Sequence, residues 1–176
     1  MLACATLALS ACGFQLRGQE DFPFKRLAVV GAPPRVAARI TRLVEGGSDT
    51  VIVQSPTDAD AVLHVGESRG LSTLTLNSLG VVQEYQVNYS LSFSLVGADG
   101  HVLLQPSLIA LNRAMTYSDQ YSQAKVAEAD LLWADMQDDA VDQLLRRLSV
   151  VHTLTPAPGQ EVPGVAPGGP LPPPPL

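Results

Sequence analysis

The chain is poor in cysteine, and both of its cysteines, Cys4 and Cys12, lie near the N-terminus. A part starting at Cys12 therefore has no pair for an internal disulfide, so its stability must come from packing. Basic residues are also scarce. Eleven Lys and Arg face seventeen Asp and Glu, for a net charge of −6. Such a chain is a poor general ligand for nucleic acid, whose binding rests on neutralising phosphates with Lys and Arg. No apolar run reaches the ~20 residues that a membrane-spanning helix needs. There is no G-x-S-x-G, H-E-x-x-H or C-x-x-C, and no Gly-rich phosphate cradle. His64, His101 and His152 share no metal-like spacing. No catalytic residue, metal site or cofactor is therefore expected.

What the chain does have begins at Leu7-Ala8-Leu9-Ser10-Ala11-Cys12. Residues 1–11 are uncharged and apolar, too short to span a bilayer, and end in small residues, as a cleavable secretory segment does. Leu9-Ser10-Ala11-Cys12 looks like a bacterial lipobox, in which Cys12 carries the acyl chains and becomes the first mature residue. Several chains give stable anchoring where one gives marginal binding. The resemblance to such lipoproteins implies that Gly13, in place of Asp, directs the chain to the outer membrane. No Lys or Arg precedes Cys12, which leaves open a start upstream of Met1. The alternative for this stretch is a short buried strand.

The chain divides into residues 1–11 as a signal peptide, 12–26 as lipid anchor and extended leader, 27–150 as a folded domain, and 151–176 as a tail. The tail is rich in Pro and Gly and almost uncharged, so a disordered or polyproline-like segment is predicted. A Pro-rich recognition motif is the other reading.

Within the domain, Leu27–Val30 predicts a short strand. A helix follows from about Pro34 to Glu45, with Val36, Ile40, Leu43 and Val44 as its apolar stripe and Gly46-Gly47 as its stop. Thr50–Gln54 is a short β-prone run. Ala61–Gly66 and Leu71–Leu76 read as strand with an irregular middle at Arg69-Gly70. The clearest signal is period two from Tyr85 to Leu95, with Val87, Tyr89, Leu91 and Phe93 between them on one face. Gly97-Ala98-Asp99-Gly100 supplies a hairpin turn. The return strand runs from about His101 to Tyr117, with Pro106 marking a bulge or edge. A long helix spans about Ser122 to Ser149, its apolar face running from Leu132 through Met136, Val141 and Leu144 to Leu148. The order β-α-β-β-β-α predicts an α+β fold: a two-layer α/β sandwich with a mixed four-stranded sheet and two helices on one face. The polar face of the central strand implies an uncovered side.

Two charged strips stand out. Asp135, Asp138, Asp139 and Asp142 share one helix face and read as solvated, since no turn converges oxygen ligands. Arg35, Arg39 and Arg42 form a cationic strip on the first helix. It is either a solvated face or a contact for lipid phosphates or an acidic partner. Arg69, Arg113 and Lys125 are further candidates near strand ends and loops.

Three stretches together resemble the LptE family of lipopolysaccharide-assembly lipoproteins. They are Ala11-Cys12-Gly13-Phe14-Gln15-Leu16-Arg17-Gly18, Glu84-Tyr85-Gln86, and the run from Ala124-Lys125 through Asp135-Met136 to Gln143-Leu144-Leu145-Arg146-Arg147-Leu148. The likeness covers about residues 11–150. It implies a non-enzymatic lipoprotein that sits one-to-one inside the β-barrel LptD as a plug. It further implies help with barrel assembly, and binding and delivery of lipopolysaccharide at the outer membrane. One departure is that Asn77-Ser78-Leu79-Gly80, the turn where a basic residue is expected, carries no charge. Lipopolysaccharide contact is then left to Arg35, Arg39, Arg42, Arg113 or Lys125. Two other functions stay open: an auxiliary lipoprotein of a phospholipid transport system, and a periplasmic envelope hydrolase, which lacks a recognisable nucleophile–base pair.

Overall fold

The computed structural model describes residues 21–156 and 162–164. Its elements are β1 (Arg26–Val30), α1 (Pro34–Gly47), β2 (Val51–Val53), β3 (Ala61–Leu76), β4 (Val82–Gly97), β5 (Val102–Thr116) and α2 (Ser122–Leu148). They build one mixed sheet in the order β2-β1-β3-β4-β5. β1 runs parallel to β2 and β3, and β4 is antiparallel to both β3 and β5. The α+β sandwich is as expected. The sheet, however, has five strands rather than four. The short run Val51–Val53 joins as an edge strand, pairing Arg26 with Val51 and Ala28 with Val53. Three residues are too few to show a period of two, so only the neighbouring β1 reveals them as a strand.

The core follows the sequence periodicities. On β4, Val87, Tyr89, Leu91, Phe93 and Leu95 are all buried, and their opposite numbers Leu63 and Val65 on β3 and Leu104 and Ile109 on β5 continue the face. Val36, Ile40 and Val44 of α1 and Met136, Ala140, Val141, Leu144 and Leu148 of α2 close over it. Pro34 stands at the first turn of α1, where its missing N–H costs nothing. Gly46 and Gly47 remain helical, and Ser48 ends the helix, its hydroxyl donating to the Val44 carbonyl at 2.7 Å.

Three expectations are corrected. Arg69-Gly70 is no interruption. β3 is one strand of 16 residues, with Arg69 opposite Tyr89 and Gly70 opposite Asn88. Continuous pairing with β4 carries it through the weak β-formers. The irregularity lies near the tip, between Thr73 and Leu76. The domain also begins before residue 27, because Phe22 and Phe24 stack at 5.1 Å between centroids inside the core. It also runs past residue 150. Val151 is buried, and the amide of Gln105 donates to the carbonyl of Pro163 at 2.9 Å.

Pro106 lies on the sheet edge, where the β4–β5 register shifts between Phe93 and Leu95. The turn after β4 has Gly100 at φ 84°, and its amide donates to the Gly97 carbonyl at 2.9 Å.

Candidate functional site

Among the described residues, the sheet's second face carries no helix. Its cross-strand rows are Ser72–Gln86–Ala114, Gly70–Asn88–Asn112, Ser68–Ser90–Ala110 and Gly66–Ser92–Leu108. None of these side chains is charged, and Leu108 is the one large apolar group among them. The period of two that buries Val87 to Leu95 necessarily turns Gln86, Asn88, Ser90 and Ser92 to this side. Asn88 donates to the Ser72 hydroxyl at 3.0 Å. The small side chains leave a shallow depression of about 240 Å³ over Ser68, Gly70, Asn88, Ser90 and Asn112. The surface is flat, neutral and rich in hydroxyl and amide groups. It can accept and donate hydrogen bonds widely.

The opposite, helical side holds the charges. The two strips that looked separate in sequence meet each other. Arg39 reaches Asp142 at 3.0 Å and places its Nε 3.4 Å from Asp138, and Arg35 lies 3.7 Å from Asp138. These contacts tie α1 to α2. Arg113 pairs with Asp139 at 3.3 Å and donates to the Asn112 carbonyl at 3.0 Å. Lys125 donates to Glu128 at 2.7 Å and to the Thr116 hydroxyl at 3.1 Å. Of the six candidate cations, Arg35 and Arg39 share one cluster, and Arg69, Arg113 and Lys125 each have their own carboxylate. Arg42 is exposed and makes no ion pair among the described residues. Cys12, the candidate lipid attachment, lies outside the described residues.

A polar knot between sheet and helix was missed by the sequence reading. Gln137, buried on the core side of α2, donates to Glu67 Oε1 at 2.6 Å. Arg69 donates to the same oxygen through Nε and Nη2 at 3.1 and 3.0 Å. Beside them lies the buried Tyr89 hydroxyl, and burial first, then the neighbouring Glu67 carboxylate, push its pKa up. The available signal was positional. Glu67 continues the inward series Leu63, Val65, and Gln137 follows Met136 on the apolar face.

Asp60 is a second anchor. Its carboxylate accepts from the backbone amides of Lys25 and Arg26 at 3.0 and 2.8 Å and from the Arg26 guanidinium at 2.8 Å. The Arg26 side chain, followed by those amides, holds the Asp60 pKa below its ordinary value of 3.8 against the opposing effect of burial. Among the described residues no three His, Cys, Asp or Glu gather as metal ligands, and no helix is long and apolar enough to cross a membrane.

Comparison with known proteins gives a consistent result. The family LptE, described as lipopolysaccharide-assembly, matches residues 24–148. The LPS-assembly lipoprotein LptE of Yersinia enterocolitica is 30% identical over 159 residues, 86% of this chain and 75% of that protein. The protein of the same name from Photorhabdus laumondii is 24% identical over 156 residues, 86% of this chain and 85% of that one. Among solved structures, lipoprotein B from Nitrosomonas europaea superposes with a TM-score of 0.65 at 29% identity, covering 78% of this chain and 91% of that one. The rare lipoprotein B from Shewanella oneidensis gives 0.59 at 25% identity, covering 71% and 94%.

Proposed function

Because the chain belongs to the LptE lipopolysaccharide-assembly family, we propose that it plugs the LptD β-barrel one-to-one. In this reading it is held at the periplasmic leaflet of the outer membrane by lipid on Cys12. It helps the barrel assemble and takes part in binding and delivering lipopolysaccharide, acting by contact rather than catalysis. The observation that supports the plug reading is the neutral open face from Ser68 to Ala114. Barrel lumens are polar and lined by alternate strand residues. A flat field of Ser, Asn, Gln and Gly can exchange hydrogen bonds with such a wall without burying an unpaired charge, which is costly.

For lipopolysaccharide, the phosphate-bearing head must meet cations. Arg42 is free to do so, whereas Arg35, Arg39, Arg113 and Lys125 would first exchange a carboxylate for a phosphate. Arg42→Glu is expected to weaken lipopolysaccharide binding more than the same change at Lys125.

The test of the main reading is a mild-detergent pull-down of the tagged, lipidated chain from outer membranes. A large β-barrel at one-to-one stoichiometry supports the plug. Recovery of a phospholipid-transport subunit, or of the chain alone, overturns it.

A further inference from the structure

β1 pairs with β3 only from Ala61 to His64, although β3 continues to Leu76. On that side, among the described residues, no strand lies beside Val65–Leu76. The departure of β1 is built in. Gly31 turns away at φ 82°, and a Cβ there would stand 2.6 Å from the carbonyl oxygen of Val65. That carbonyl therefore points to the open side. Strand backbone groups alternate sides, so Glu67, Arg69, Leu71 and Thr73 also turn their N–H and C=O outward.

A bare edge is a template for another strand, and proteins usually blunt it with charge, proline or a cover. The other edge of this sheet, β5, has such guards. Pro106 withholds a donor, Arg113 adds charge, and the Pro163 carbonyl takes the amide of Gln105. The β3 edge has few. Glu67 and Arg69 are engaged with each other and with Gln137 on the helical side. From Gly70 to Leu76 there is no charge and no proline, and Leu71, Leu74 and Leu76 are exposed.

We propose that this edge receives the unpaired edge strand of a transmembrane β-barrel before the barrel closes, a role that rests on the plug reading above. Length supports this occupant. Val65–Leu76 is roughly 40 Å at ~3.4 Å per residue, and a transmembrane β-strand has about 9–11 residues. Charge agrees as well, since Gly70–Leu76 carries only Gly, Leu, Ser and Thr and so sets no unpaired charge against a strand bound for the membrane. An unclosed barrel exposes backbone donors and acceptors that have no partner in an apolar surrounding. The β3 edge supplies them. A closed barrel has no edge, so closure itself ends the pairing and leaves the domain in the lumen.

The test uses the full lipidated chain, co-produced with its barrel, with a photoreactive residue at position 73. Pulse–chase labelling follows cross-links, and gel mobility without heating separates open from closed barrel. Cross-links to the open barrel that fade as it closes are expected. Thr73→Pro removes an outward donor and spares the β4 ladder. Leu71→Lys places a charge on the edge at an exposed position. Each should slow closure by roughly tenfold, the scale of a hydrogen bond left unmade, while Thr73→Val should not. Closure at the normal rate in folded Thr73→Pro and Leu71→Lys overturns the proposal. So do cross-links that persist in the closed barrel, or that join only two copies of this chain. If the unaltered chain recovers no barrel at all, the plug reading itself falls.

Discussion

At its start, β3 lies between β1 and β4, and Ala61, Leu63 and Val65 are sealed in the core shared with both helices. Beyond Ser68 it is paired on one side only, and every residue to Leu76 except Gly70 is exposed. One strand thus serves two purposes. Its first part holds the domain together, and its far part is extended surface that contributes little to folding. β3, β4 and β5 have 16, 16 and 15 residues, against about 5–6 for an ordinary strand. On β4 and β5 the core still reaches Val87 and Met115, whereas on β3 it ends at Val65.

The largest test of this contrast is to remove a leucine from each part. Leu91, fully buried on the central strand opposite Glu67 and Ile109, is expected to cost about 2–5 kcal/mol as Leu91→Ala. Leu76→Ala, at 57% exposure, should stay within about 0.5 kcal/mol. Urea denaturation of the two variants checks this. Equal losses would mean that the far ribbon is part of the cooperative core.

Glycines sharpen the same comparison. Gly31→Val forces a β-branched residue to φ 82° against the Val65 carbonyl, a strain of about 1–3 kcal/mol. Gly70→Ala meets nothing within 4 Å and should leave the melting temperature nearly unchanged. A thermal melt of each distinguishes them, and a destabilised Gly70→Ala would contradict the view of the far ribbon as free surface.

These differences also mark what the sequence could disclose. Period two from Tyr85 to Leu95 and the helical stripes Val36–Val44 and Met136–Leu148 were legible because each records which side meets apolar neighbours. The neutral open face followed from the same alternation. The destination of the arginines was not legible. Arg39 and Asp142 are far apart in the chain, and only the packing of α1 on α2 joins them. A charge strip has the same pattern whether it faces water, lipid or another strip. The free edge of β3 was hidden too, because its existence depends on where β1 stops.

The knot at Glu67 tests how α2 is fixed to the sheet. Glu67→Ala leaves the buried amide of Gln137 without its acceptor and should cost about 1–3 kcal/mol. Gln137→Leu added to Glu67→Ala should recover part of that loss, since both polar groups are then gone. Failure to recover would mean that Arg69 or Tyr89, rather than Gln137, is the group left stranded.

Asp60 gives a smaller effect with a defined pH signature. Its pKa is lowered in the folded state, so its contribution is fully present above the ordinary value of 3.8 and is lost as pH falls through the depressed folded value. The melting temperature of Asp60→Asn should therefore lie below that of the unaltered chain at neutral pH. The gap should narrow as pH falls below about 4, into the range of the protonating carboxylate. A gap independent of pH would indicate that shape, not charge, is what Asp60 supplies to the Lys25 and Arg26 amides.

The smallest expected effect on stability is the most informative about the open face. Ser90 stands between Ser68 and Ala110 on the face without helices. Ser90→Lys should shift unfolding by no more than about 0.5 kcal/mol, because its side chain has open space above the sheet. In the plug reading the same lysine meets a barrel wall and must lose its water there, and a buried unpaired charge is strongly unfavourable. Co-purification of the barrel should then fall sharply while the isolated domain melts as before. Separation of the two readouts would assign the face to a partner. Retention of the barrel by Ser90→Lys would shift attention to the far ribbon, where Leu71 and Thr73 remain exposed whatever occupies the face.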